Sequence, residues 1–183
     1  MPSGRSTFQL KITLQGTKPP IWRRILVSGG IRLSKLHEIL QATMGWTNSH
    51  LHCFSVADQR YGPEFDDPPE DEINEEEVLV LEAVQGHKAF VYEYDFGDGW
   101  DHRVDVEALS WPHHGLRSAV CLGGANACPP EDCGGTSGYE HLLQVLADPS
   151  HEEHRELIEW VGGPFDAAAF DVAATNAALQ RIR

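Results

Sequence analysis

Basic residues are scarce in this chain. Only 14 Lys and Arg stand against 28 Asp and Glu, which gives a formal net charge of −14 over 183 residues. Nucleic-acid binders draw most of their affinity from phosphate neutralisation, so direct nucleic-acid binding is disfavoured. The nearest approach to a basic patch is Arg23, Arg24, Arg32 and Lys35, a group small enough to be ordinary solvated surface. No 18-residue apolar run occurs, so no membrane-spanning helix is expected. The N-terminal Met-Pro-Ser-Gly-Arg-Ser-Thr leads into a strand pattern without an apolar signal core, and a cytoplasmic location is the expectation. Close C-x2-C pairs are missing as well, although four cysteines are present. In a reducing compartment those cysteines are better read as thiols or metal ligands than as a disulfide framework.

What is present suits a globular fold. With 41% apolar and 23% charged residues the chain can bury a core, and neither a repeat nor a linker divides it, so one domain over residues 1–183 is expected. Phe8, Leu10, Ile12 and Leu14 alternate within a strand over Thr7–Gln15, and Ile21–Val27 resumes as its antiparallel partner after Pro19-Pro20. Ser34 is placed to cap a helix that runs to Met44 and stops at Gly45. His50 to Val56 is extended, with His50, His52, Phe54 and Val56 on one face. Residues 64–77 hold nine carboxylates and no basic residue, which reads as an acidic surface loop, and Val78–Val84 fits either a short strand or one or two helical turns.

The most informative stretch is Tyr92 to His102. Phe90, Tyr92, Tyr94 and Phe96 alternate into it and Trp100, His102, Val104 and Val106 alternate out, with Gly97-Asp98-Gly99 as the turn. The facing puts His102 inward and Asp101, Arg103, Asp105 and Glu107 outward. Trp111 to Gly115 is expected to end the sheet region, and Cys121 to Gly135 to be irregular. Helices follow from Tyr139 to Ala147, from a capping box at Ser150 to Glu153, and from Asp171 to Arg183. Strands early and helices late give an α+β fold, a mainly antiparallel sheet with helices packed on it and a helical C-terminal part.

Four chemistries fit these residues. Cys121, Cys128 and Cys133 are spaced C-x6-C-x4-C and would hold zinc with a fourth ligand from His102, His141 or Cys53; the alternative is three thiols in a Gly/Pro-shaped loop. His50, His52 and His102 with Asp98, Glu131 and Asp132 form a carboxylate–histidine set suited to zinc, manganese or iron and to water activation. In that set Asp98, His102 and Glu131 are the catalytic candidates; otherwise Asp98 forms the turn, Asp95 accepts backbone bonds and His102 is a core histidine. A thiol nucleophile at Cys128 or Cys133 has no identifiable base. Finally, Trp22, Trp46, Tyr92, Tyr94, Phe96 and Trp100 supply aromatics for a groove beside Pro129-Pro130, in which Tyr94, Trp100 and Asp132 would contact a small ligand or a protein.

Several of these blocks carry a resemblance. Leu36-His37, Met44-Gly45-Trp46, His50-Leu51-His52-Cys53-Phe54, Tyr94 to His102, Ala127 to Gly135, Gly138-Tyr139-Glu140 and Trp160 to Phe170 resemble the plasmid pRi ORF-3-like family, whose members are also labelled insertion-sequence passenger proteins of TnpR type. The resemblance covers nearly the whole chain and implies one α+β domain of that family's own fold. It also implies an association with plasmids and mobile elements. No nucleophilic serine or tyrosine in a basic setting supports a resolvase-like activity. The reading is therefore an accessory binding module with a surface built from residues 94–102 and 121–135, the alternative being a metal-dependent hydrolase on the His/Asp/Glu set.

Overall fold

Alternation of apolar and polar residues is carried into a sheet with one buried and one half-exposed face. A computed structural model describes residues 6–65, 71–110, 116 and 118–182. Strands β1 (Thr7–Leu14), β2 (Trp22–Ser28), β3 (His52–Val56), β4 (Gln59–Gly62), β5 (Glu72–Asn74), β6 (Ala89–Tyr94), β7 (Trp100–Ser110) and β8 (Val120–Ala125) form one sheet in the order β5-β4-β3-β6-β7-β1-β2-β8. All neighbours are antiparallel except β4 and β5. On β1, Phe8, Leu10, Ile12 and Leu14 are buried while Gln9, Lys11 and Thr13 face the half-exposed side. There Arg24 donates from Nε and Nη2 to both Glu107 oxygens at 2.6 and 2.7 Å, and that bond holds the Glu107 carboxyl down to about 2.

Helices α1 (Leu33–Met44), α2 (Val80–Ala83), α3 (Gly135–Ala147), α4 (His154–Trp160) and α5 (Val172–Leu179) complete the described elements. Leu36, Ile39, Leu40 and Met44 of α1 join Tyr139 and Leu142 of α3 and Leu179 of α5 in the same core as the inward strand residues. The architecture is thus α+β, a mostly antiparallel sheet with helices on it and helices at the C-terminal end.

Several local expectations change. Ser34 lies inside α1, whose N-cap is Arg32 without a side-chain cap bond, because Leu33 is already helical and fully buried. Gly45 does end α1, in the left-handed region at φ 106°. Within the acidic run, residues 72–77 are ordered as β5 and a 3-10 turn, since Glu72–Asn74 pairs with β4 and Asn74 accepts from the Glu76 N–H. Cys121 and its neighbours are strand rather than loop, because β8 extends the sheet beside β2. The sheet therefore continues past Trp111–Gly115, which lie outside the described residues. Ser150–Glu153 makes no capping box: the Ser150 N–H and hydroxyl turn back to Asp148, and α4 starts at His154 without a side-chain cap. Asp171 caps α5 as expected, accepting from the Ala173 and Ala174 N–H groups, but α5 ends at Leu179.

Candidate functional site

The hairpin of β6 and β7 closes through Asp95 to Gly99. Its left-handed residues are Asp95 at φ 55° and Gly99 at φ 68°, not Gly97. Asp95 tolerates that conformation because its Oδ1 accepts from the N–H groups of Gly97 and Asp98 at 3.0 and 3.3 Å. The Gly99 N–H also donates to the Asp95 carbonyl at 2.6 Å. Phe96 does not continue the inward alternation. It sits in this turn and is 48% exposed.

The tip is locked to the loop that precedes α3. Asp98 Oδ2 accepts from the Gly134 N–H at 3.1 Å. Gly135 has φ 68°, and a Cβ there would stand 2.4 Å from the Asp98 carbonyl oxygen. Trp46 donates from Nε1 to the Pro129 carbonyl at 3.1 Å. Glu131 Oε1 accepts from the Thr47 N–H at 2.8 Å and the Tyr94 hydroxyl at 3.2 Å. The two blocks singled out in sequence therefore meet.

Their meeting point is a notch around His50. The His50 Nε2 lies 3.1 Å from Asp132 Oδ1, 3.6 Å from Asp95 Oδ2 and 3.9 Å from Glu131 Oε2. The 3.1 Å separation does not amount to a hydrogen bond; Nε2 is shielded from water and has no hydrogen-bond partner among the described residues. Asp95 is buried while the Asp132 side chain is 70% exposed, so the notch opens to solvent on the Asp132 side. His50, Asp95 and Asp132 each offer a ligand atom, all within 4.8 Å of one another, a grouping that no other three such side chains achieve among the described residues. One imidazole with carboxylates suits zinc, manganese or iron.

Of the anticipated site residues, the structure gathers His50, Glu131, Asp132 and the hydroxyl of Tyr94 at this notch. Burial pushes the Tyr94 phenol up to about 12, and the nearby Glu131 adds to it. Asp98 serves the hairpin–loop lock. His52 belongs to a neighbouring buried cluster: its Nε2 is 2.9 Å from Glu75 Oε2, and its ring stacks on His37 at 3.4 Å between centroids. His102 is apart from both, fully buried, with Nδ1 3.0 Å from the Tyr92 carbonyl and Nε2 unpartnered among the described residues. Strand β6 lies between β3 and β7, which separates His102 from His52 of β3 by roughly two strand spacings, about 10 Å. Trp100 has no exposed surface and packs near Trp46, so it supports the site from within the core instead of meeting a ligand.

The cysteines form no joint ligand set among the described residues. Cys121 is buried in β8, Cys128 and Cys133 are half-buried, and all four cysteines are free thiols. Burial, followed by the Asp98 carboxylate, pushes the Cys133 thiol up to about 12, and burial raises the Cys128 thiol well above its usual value. Neither is activated as a nucleophile. His141 faces Glu153 at 3.3 Å, and Cys53 donates to the Phe54 carbonyl within the core, so neither completes a zinc set. Arg23, Arg24, Arg32 and Lys35 do not assemble into a patch either. Arg23 is buried, Arg24 is paired with Glu107 and Lys35 with Glu38.

Sequence reasoning left Asp95 as an acceptor of backbone hydrogen bonds, and it passed over His37 and Glu75. Alternation predicts which face a strand residue takes, whereas Asp95 stands where the strand ends and the chain turns left-handed. An Asp opening a Gly-rich turn was the available signal. Glu75 was hidden in a run of like charges.

A family model described as "Plasmid pRiA4b ORF-3-like protein" matches residues 6–174. The chain is similar to the uncharacterised protein y4hQ of Sinorhizobium fredii (strain NBRC 101917 / NGR234), 44% identical over 180 residues, covering 97% of this chain and 92% of that protein. It is also similar to the crystal structure of MM3350 from Methanosarcina mazei Go1, a protein of unknown function. There the TM-score is 0.85 at 34% identity, over 93% of this chain and 98% of the other.

Proposed function

The chain belongs to the plasmid pRiA4b ORF-3-like family, and from that premise we propose that it is a plasmid- or mobile-element-associated accessory protein that binds its ligand through a divalent metal ion. The metal would sit in the His50–Asp95–Asp132 notch, with Glu131 beside it, at the junction of the hairpin turn and the loop before α3. The observation that carries this reading is the His50 Nε2: it is shielded, makes no hydrogen bond among the described residues, and has three carboxylate oxygens within 3.9 Å. Three carboxylates crowding one imidazole repel one another, and a divalent cation is the group that relieves that repulsion while using the free nitrogen. The backbone supports the arrangement. Asp95 and Asp132 both hold left-handed φ values, 55° and 58°, outside any strand or helix. Such conformations are uncommon for residues other than glycine and turn up at functional sites.

The solvent-facing side of the notch, toward Asp132, leaves positions for ligand atoms or water. A cytoplasmic location fits the free thiols. The hydrolytic alternative rests on the same opening and on Glu131 as the base next to it. It no longer draws on His52, His102 or Asp98, whose partners lie elsewhere.

The test is elemental analysis and metal titration of the full chain purified without added metal. One equivalent of zinc, manganese or iron is expected, lost in His50→Ala and in Asp95→Asn, and retained in His102→Ala. Absence of stoichiometric binding for all three metals, or retention of metal by folded His50→Ala, would overturn the reading. Turnover of a generic phosphoester by the loaded protein, abolished in Glu131→Gln, would favour the hydrolase over the binding module.

A further inference from the structure

Strand β2 carries an arginine where its alternation calls for an apolar residue. Arg23 occupies the inward register between Ile21 and Ile25 and is 2% exposed. A buried cation normally has an anionic partner, because leaving one unpaired in a low-dielectric interior is costly. Arg23 has none among the described residues. Nε donates to the Thr43 carbonyl at 3.2 Å, and Nη1 donates to the carbonyls of Trp22 and Ala125, each at 2.9 Å. The ring of Phe170 covers one face of the guanidinium, with Cζ 4.0 Å from the ring centre. Nη2 makes no hydrogen bond among the described residues. The neighbours Cys128 and Cys121 are thiols whose ionisation burial opposes, so neither serves as the counter-charge.

Arg23 also lines a cleft of about 590 Å3 between the C-terminal end of α1, residues 127–128, residues 169–171 and α5. The cleft wall is mostly apolar: Ala42, Met44, Ala127, Phe170, Ala174 and Ala178 contribute to it. Three further polar residues line it, of which Thr175 donates its hydroxyl to the Asp171 carbonyl at 2.9 Å. Thr43 is buried and its hydroxyl has no partner among the described residues. Asp171 is exposed, with its Oδ1 committed to the first N–H groups of α5 and no ion pair to Arg23.

We infer that this cleft is a ligand site separate from the metal notch, and that it takes a small organic monocarboxylate. The carboxylate pairs with the free Nη2 amino group of Arg23, and the hydrocarbon body lies against Ala42, Met44, Phe170, Ala174 and Ala178. One amino group with two N–H bonds suits a carboxylate. A phosphate group, with more oxygens and more charge, needs a wider set of donors than this wall offers. Small alanine side chains leave room for the apolar body, and the half-buried Phe170 gives it a flat surface.

The experiment is a titration of the full chain, followed by amide NMR shifts, with benzoate, its neutral isostere benzamide, and inorganic phosphate. Benzoate is expected to saturate, benzamide to bind at least about ten-fold more weakly for want of the charged hydrogen bond, and phosphate not to compete. Ala174→Phe, at an exposed position of α5, fills the cleft and is expected to weaken benzoate by about ten-fold or more with the melting temperature unchanged. No saturable benzoate binding overturns the inference. So does equal affinity for benzamide, phosphate binding as tight as benzoate, or undiminished benzoate affinity in folded Ala174→Phe. The comparison of benzoate with benzamide decides the matter on unmodified protein, whatever the variant does to folding.

Discussion

His37 and His102 show how burial sets the chemistry of a side chain. Both are buried, and burial lowers each pKa from the usual 6.5 to about 4. At His37 the adjacent His52 ring lowers it further, against a raising hydrogen bond from Asn48. The neutral ring is the one the fold uses. His37 Nε2 stands 2.7 Å from Asn48 Oδ1, which places its proton there, and Nδ1 then accepts from the Tyr92 hydroxyl at 2.7 Å. Because the folded pKa lies below the unfolded one, the unfolded chain binds protons more readily between pH 4 and 6.5. Stability is therefore complete above about pH 6.5 and falls as pH drops toward 4, by roughly 3 kcal/mol for each histidine. Denaturant unfolding at pH 7 and pH 4.5 checks this. His102→Gln should flatten the profile, and an unchanged slope would remove His102 from the account.

At the scale of elements, the junction between the β6–β7 turn and the start of α3 is the point on which the notch depends. It is held by the Asp98–Gly134 hydrogen bond and by the close approach of Gly135 to the Asp98 carbonyl. Gly135→Ala adds both left-handed strain and a clash with backbone that cannot swing aside, so a loss of roughly 2–4 kcal/mol is expected. Gly86→Ala supplies the control. Its φ of 81° is equally left-handed, but a Cβ there meets open space, so only about 1 kcal/mol should be lost. Urea midpoints of the two variants separate the terms, and equal losses would mean that strain alone matters at Gly135. Metal affinity should drop in Gly135→Ala and stay unchanged in Gly86→Ala, because only the first displaces Asp132 relative to Asp95.

The molecule as a whole carries its acidic excess on a sheet-and-helix body whose four nominal patch cations are dispersed. Arg23 is buried and Arg24 and Lys35 are paired, which leaves Arg32 at the start of α1. A net charge of −14, with Arg23 buried and Arg24 and Lys35 paired, predicts no shift of a labelled DNA duplex at about 0.1 M salt and tens of micromolar protein. A salt-dependent shift would overturn that expectation. No helix among the described residues is long and apolar enough to cross a membrane.

Sequence alone determined the pieces whose cause is local. Period-two alternation set the buried faces of β1, β2 and β7. Gly45 and Asp171 marked helix ends through backbone freedom and a side-chain acceptor, and the aromatic arms on either side of a Gly-rich turn announced the hairpin. Membership of an α+β family was legible in the same blocks. Tertiary structure alone decided which chemical groups meet, because alternation says only which face a side chain takes, not which strand comes to lie beside it. Placing β6 between β3 and β7 kept His102 away from His50. The docking of residues 129–135 on the hairpin turn brought Glu131 and Asp132 to His50, and the left-handed turn at Asp95 aimed its second oxygen at the same nitrogen. Those placements come from pairings and contacts across 36 or more residues, such as Gly134 with Asp98 and Thr47 with Glu131. No pattern within a single segment encodes them.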